Sequence, residues 1–209
     1  MATSFKTHLG LTCLSAALLT VSSLAFAAPQ AVDPNALDSK SVEMAATDSK
    51  DAEGAFKFVQ STAETGLKFL SKPEAAEAQK KQEFRKLLDS SFDLDTIGRF
   101  ALGTYWNRAT PAQQKEYLAQ FRKMVVDVYA ARFGDYKGQK FEAKSFRSIS
   151  ATDTLVTSYI VPVDGGSNIQ IDWRVRNKGG SYKIVDVLVA GVSMSVTQRS
   201  DFASVIQRG

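Results

Sequence analysis

Residues 169–189 read IQIDWRVRNKGGSYKIVDVLV, two apolar-rich runs joined by Asn177-Lys178-Gly179-Gly180. In the first run Ile169, Ile171, Trp173 and Val175 alternate strictly with Gln170, Asp172, Arg174 and Arg176. Successive side chains of a strand point to opposite faces, so this strand has one face inward and one in water, as antiparallel sheets allow. The Gly-Gly pair predicts a tight hairpin turn. The returning run, SYKIVDVLVAGV, is apolar on both faces: Val185, Val187 and Val189 one way, Tyr182, Ile184 and Leu188 the other, with Asp186 interrupting the second set.

Upstream, TLVTSYIVPV (154–163) predicts the preceding strand, with Pro162 at its edge or outside the ladder, and Gly165-Gly166 leads on from it. FEAKSFRSI (141–149) predicts the first strand. Before Gly138 the apolar period is helical. Phe56, Val59, Ala63, Leu67 and Leu70 mark one helix, and Ser71-Lys72-Pro73-Glu74 has capping-box form ahead of a second carrying Phe84, Leu87 and Leu88. Asp93 is placed to cap LDTIGRFALG, where Ile97, Phe100 and Ala101 face one way and Gly103 ends the helix. Thr110-Pro111-Ala112-Gln113 is a second capping box, and its helix is predicted to run to about Tyr136 with more than one apolar face. The fold class is therefore α+β: N-terminal helices packed on one face of a four-stranded antiparallel meander, then a short C-terminal helix.

The 209 residues are 44% hydrophobic and 23% charged, room for one domain with a sizeable core. Residues 1–27 read as a signal peptide: Lys6, an apolar stretch from Leu9 to about Val21, and Ala25-Phe26-Ala27 as a cleavage site. Residues 28–50, with two prolines and no aromatic residue, read as a flexible leader, and 51–209 as a single α+β domain. Cleavage would take the net charge from +4 to +3, and the longest basic run, Lys80-Lys81, makes no stripe for nucleic acid.

The only His, His8, and the only Cys, Cys13, fall inside the signal peptide. A mature chain without either lacks thiolates, imidazole bases and Cys/His zinc sites. Gly191-Val192-Ser193-Met194-Ser195 is one residue from the G-x-S-x-G turn that carries a hydrolase serine, but no His follows it. Gly191 is expected instead to bend the last strand, and Ser195 with Gln198, or Thr197, to cap the terminal helix that carries Phe202, Val205 and Ile206. Metal ligation would need carboxylates alone, and Asp93-Leu94-Asp95 lacks calcium-loop spacing. Asp186 has two readings, an ion pair with Arg174 or a catalytic acid. The apolar surplus, including Trp106, Trp173 and six tyrosines, also has two: a filled core, or an apolar pocket between helices and sheet.

The segment FDLDTIGRFALGTYWNRATPAQQKEYLAQFRKMVVDVYAARFGDYKG (92–138) resembles the centre of the MlaC and toluene-tolerance family, with R-F-x-L-G, an aromatic pair ending in Trp and an A-T-x-x-Q helix start. The ending, YKIVDVLVAGVSMSVTQRSDFASVIQRG (182–209), resembles that family's D-V-x-x-x-G-V-S strand followed by R-S-x-F. Thr197-Gln198 stands where Asn-Tyr is common in the family, and Ala190 where an acidic residue often precedes the glycine. The resemblance implies a monomeric periplasmic lipid carrier without cofactor or metal. Its acyl-chain cavity would lie between sheet and helices, and its partners would be an inner-membrane ABC-type lipid transporter and an outer-membrane lipoprotein complex. One branch is associated with hopanoid loci, so the ligand is expected to be a phospholipid or a related lipid. The residues expected to line the cavity are Phe100, Leu102, Trp106, Phe121, Val125, Val128, Tyr129, Tyr159, Val161, Trp173, Val187 and Met194. A rival expectation is a small α+β enzyme using Asp186 as acid or base.

Overall fold

The computed structural model describes residues 39–72 and 75–208, with side chains from residue 49 onward. The signal peptide, residues 28–38 of the leader, and Pro73-Glu74 of the expected capping box lie outside the described residues. Among the described residues, five α-helices, α1 (Ser39–Leu70), α2 (Glu77–Ser91), α3 (Leu94–Leu102), α4 (Pro111–Ala130) and α5 (Met194–Arg208), accompany five strands. These are β1 (Lys140–Ser148), β2 (Asp153–Val161), β3 (Ile169–Lys178), β4 (Ser181–Val189) and β5 (Val192–Ser193). The strands form one sheet in sequence order, antiparallel throughout. The fold class is thus the expected α+β meander, with a fifth strand of two residues added.

Local chemistry sets most boundaries. Asp93 caps α3 by accepting from the Thr96 N–H at 3.0 Å, and Gly103, at φ +61°, ends it. Thr110 and Gln113 form the reciprocal capping box of α4: the Gln113 N–H donates to Thr110 Oγ1, and the Thr110 N–H to Gln113 Oε1. Three boundaries differ from expectation. Residues 39–50 continue α1 instead of belonging to a leader. Helix α2 begins at Glu77, and its N-cap, Ala76, supplies no side-chain acceptor. Helix α4 stops at Ala130 rather than near Tyr136 because the chain tightens into a 3-10 turn over Phe133–Asp135, where Phe133 meets Phe69 and Phe84 edge-on.

Helix α1 lies across the inner sheet face. Ala55 and Val59 are buried against Val156, Val175 and Ile184, and Phe56, Phe141, Trp173 and Tyr182 pack around them. The buried side of α1 is Ala52, Ala55, Val59, Thr62 and Phe69, a stripe rotated from the predicted one and sharing only Val59 with it. Small Ala52 and Ala55 let the helix approach the sheet more closely than a Leu stripe would.

Two bulges control which side chains face α1. One interrupts β1 between Ala143 and Ser145, and the other adds Val185 to β4 opposite Arg174/Val175. Because cross-strand partners share a face, the pairs Val175↔Ile184, Trp173↔Val187 and Ile171↔Val189 put Ile184, Val187 and Val189 on the inner face together. Strict alternation would have separated Ile184 from Val187, as the sequence reading did.

Candidate functional site: an apolar cavity at one end of the sheet

Helix α1 covers mainly β1 to β3, leaving the inner face of late β4 to be roofed by α2, α3, α4 and α5. Between roof and floor is a cavity of about 290 Å³. Trp173, Val187 and Val189 form the floor, and Phe84 and Leu88 of α2, Phe92, and Leu94 and Ile97 of α3 form one side. Helix α4 supplies Phe121, Met124, Val125, Val128 and Tyr129, and Met194 closes the α5 side, where Asp186, Ser195 and Gln198 are the polar members. Val128 and Tyr129 are exposed large apolar residues.

The floor is held rigidly. Trp173 Nε1 donates to Ser158 Oγ at 2.8 Å, that buried hydroxyl donates onward to the Ile171 carbonyl, and Phe141 meets the indole edge-on. A buried indole N–H needs such a partner, and a single hydroxyl on the adjacent strand supplies it.

The roof is tied together by polar groups outside the cavity. Arg122 of α4 bridges Asp89 at 3.2 Å and Asp95 at 2.9 Å, and Lys81 of α2 pairs with Asp127 of α4. The Tyr117 hydroxyl donates to the Gly98 carbonyl at 2.8 Å, and burial pushes that phenol above its ordinary pKa. Lys183 of β4 donates to the carbonyls of Asp89 and Ser90, a cation at the C-terminus of α2 that also joins helix to sheet. The Asp93 N–H donates to the Ile184 carbonyl at 2.9 Å, so the loop between α2 and α3 occupies the β4 edge that β5 is too short to cover.

Seven of the twelve residues expected to line a cavity surround this one: Phe121, Val125, Val128, Tyr129, Trp173, Val187 and Met194. The other five do not. Tyr159 and Val161 share the outer sheet face with Gln170, because their β2 neighbours Ser158 and Ile160 pair inward with Ile171 and Ile169. Phe100 points away from the buried side of α3 and stacks under the Arg199 guanidinium of α5, while Trp106 is covered by Arg99 and abuts Tyr117. Leu102, at the end of α3, is half-buried away from the cavity. Helical spacing had grouped Ile97, Phe100 and Ala101, but Leu94, Gly98 and Ala101 are the buried residues, turning Phe100 outward. Missed were Phe84, Leu88, Phe92, Leu94, Ile97, Met124, Val189, Asp186, Ser195 and Gln198. Phe84, Leu88, Ile97 and Val189 stand on apolar faces legible in the sequence, but no sequence signal separates core from cavity wall.

Asp186 and Arg174 are register partners on adjacent strands, yet their side chains do not pair. Arg174 reaches Asp153 instead, which it shares with Arg176 at 2.7 Å, and the Arg176 guanidinium, with Arg174 beside it, holds the buried Asp153 carboxyl at about 2. Asp186 accepts from Ser193 Oγ at 2.7 Å, from the Ser195 N–H at 3.2 Å and from its own strand's Val187 N–H at 2.9 Å. Ser193 Oγ in turn accepts from the Val196 N–H at 3.1 Å, so Ser193 caps α5 in place of the expected Ser195 or Thr197. Ala190 at φ +49° and Gly191 at φ +82°, flanked by the Val189↔Val192 pair, make a two-residue primed turn; the strand reverses there, which is sharper than the expected bend.

Among the described residues, no group of His, Cys, Asp and Glu is arranged to hold a metal, and no helix is long and apolar enough to cross a membrane. The chemistry on offer at the cavity is therefore burial of apolar groups beside a few polar ones. The α+β shell thus closes its helices over one end of an open sheet around an apolar space.

The chain belongs to the MlaC protein family, whose profile matches residues 60–209. It is 27% identical over 105 residues to the intermembrane phospholipid transport system binding protein MlaC of Haemophilus influenzae, covering 49% of each chain. It is 25% identical over 126 residues to the toluene tolerance protein ttg2D of Pseudomonas putida, covering 59% of this chain and 57% of that one. The chain thus aligns with about half the length of these curated relatives. The phospholipid-binding protein of Ralstonia solanacearum, solved in complex with a phospholipid, matches with a TM-score of 0.64 at 25% identity, covering 74% of this chain and 88% of that one.

Proposed function

We propose that this protein is a lipid carrier of the periplasm that holds phospholipid acyl chains in the cavity between β3/β4 and the roof helices. It passes them between the outer membrane and an ABC-type transporter of the inner membrane. The observation that carries the reading is the apolar cavity of about 290 Å³ with Trp173, Val187 and Val189 as its floor. The named roles of the relatives, phospholipid transport and phospholipid binding, support it. Each buried methylene contributes about 0.8 kcal/mol, so a chain held in this space leaves slowly into water and rapidly into a partner that offers apolar contact. The expected outer-membrane lipoprotein complex would be such a partner.

Asp186 as acid or base is the weaker reading, because its carboxylate already accepts three hydrogen bonds within the protein. Native mass spectrometry of protein purified from the periplasm tests the proposal. The spectrum is expected to show adducts in the phospholipid mass range that organic extraction removes and incubation with phospholipid vesicles restores. Hopanoid adducts would assign the other lipid class. Protein that carries no lipid and takes none from vesicles would overturn the carrier reading.

A further inference from the structure

We infer that Asp186 and Ser193 form a latch that fixes the α5 wall of the cavity against β4, and that lipid retention depends on it. The inference rests on the carrier reading. One carboxylate gathers three donors from three places: the Val187 N–H of its own strand, Ser193 Oγ–H across the Ala190-Gly191 turn, and the Ser195 N–H in the first turn of α5. The Ser193 hydroxyl then accepts from the Val196 N–H, and Thr197 Oγ1 donates back to the Ser193 carbonyl. The side-chain hydrogen bonds between the sheet and the first turn of α5 thus converge on the Asp186–Ser193 pair.

That turn is also cavity wall. Met194, Ser195 and Gln198 line the space opposite the floor residue Val187, the immediate neighbour of Asp186. Val196 on the outer side of the same turn is half exposed, so apolar packing there is too sparse to substitute for the latch. A carboxylate at a helix N-terminus is stabilised by the unpaired N–H groups it meets, and hydrogen bonds to a charged acceptor are stronger than neutral ones. Phe202 packed on Tyr117 and Phe121, and Arg199 over Phe100, hold the rest of α5 to α3 and α4, so losing these bonds frees the first turn of α5 while the sheet stays intact. The Ala190 N–H, donating to the Gln170 carbonyl at 2.9 Å, anchors the turn to β3, while β5 beyond it pairs with β4 only at Leu188↔Ser193 and Val189↔Val192, so movement falls on the first turn of α5.

The test compares full-chain wild type with Asp186→Ala, Ser193→Ala and Ser193→Thr, the last retaining the hydroxyl. Two readouts are taken. Hydrogen exchange of the lipid-free proteins follows the amides of residues 195–199 and, as reference, those of β2 and β3. Release of NBD-labelled phosphatidylglycerol into phosphatidylethanolamine vesicles reports retention. Both alanine variants are expected to speed exchange at 195–199 and lipid release about tenfold or more, with β2 and β3 protection unchanged and Ser193→Thr near wild type. A merely structural role would lower protection across the sheet and would not be rescued by Thr. Wild-type exchange and release rates in Ser193→Ala overturn the latch, as does faster exchange with unchanged release. Failure of wild type itself to load the labelled lipid overturns the carrier reading, and the retention role with it, while the exchange data still report whether α5 is latched.

Discussion

Replacing Val187 by Phe tests whether the cavity holds an acyl chain, because its effect can be sized from the structure. Val187 sits on the cavity floor beside Trp173, at the margin of the core under α1. At about 30 Å³ per group, the volume share of a water-sized unit, the cavity of about 290 Å³ takes about ten methylenes. Filling it is worth up to about 8 kcal/mol at 0.8 kcal/mol each. Phe adds four carbons to the Val side chain and so displaces about four methylenes, a loss of about 3 kcal/mol or more than a hundredfold in affinity. The assay is a chain-length series of lysophosphatidylglycerols titrated against the protein, with Trp173 emission as the signal. Wild type is expected to gain about 0.8 kcal/mol per added CH₂ until about ten are buried, and the Phe variant to stop gaining about four earlier. The melting temperature should hold, since the ring enters existing space. Equal affinities and equal saturation lengths in both proteins, with circular dichroism showing the fold intact, would refute chain binding at this floor.

Two further outcomes follow from groups away from the cavity. Asp153, depressed to about 2 by Arg176 and Arg174, stabilises the fold above the ordinary carboxylate range; that contribution should fade as pH falls from about 4 to about 2. Allowing for the partly exposed guanidiniums, the loss is about 1–2 kcal/mol, visible as an acid-side drop in urea midpoint that is absent in Asp153→Asn. Ala190 occupies a left-handed conformation that a Cβ disfavours by about 1–2 kcal/mol, so Ala190→Asn should raise the thermal midpoint, and a lower midpoint would contradict the primed-turn geometry.

The order of elements was legible because it is written in local chemistry. Asp93, Gly103, Thr110 and the Gly179-Gly180 turn each act within a few residues of themselves, and each does in the structure what its neighbours implied. Faces were less legible because they are decided by partners far along the chain. On β2, Leu155, Tyr159 and Val161 are as apolar as Val156 and Ile160, so alternation alone cannot say which set meets α1; the β2/β3 register, with Val156 opposite Trp173, decides it. On α4 the apolar surface is broad enough to serve two neighbours. Val125 and Tyr129 line the cavity, while Tyr117 meets Phe202 of α5.

The bulge at Val185 shows how one extra residue connects these failures to the site. An unbroken β4 would put Asp186 on the same face as Ile184, which is fully buried against Val59 and Val156, and a lone carboxylate there would cost several kcal/mol. The inserted residue resets the parity. Ile184 stays in the core under α1, Val187 arrives on the same face as cavity floor, and Asp186 turns off that face to the α5 end of the cavity, where Ser193 and the start of α5 supply donors. The carboxylate that looked misplaced in an apolar strand is thus the group that ends the sheet and fixes the closing helix, and the apolar run around it is continuous only on the face that needs it.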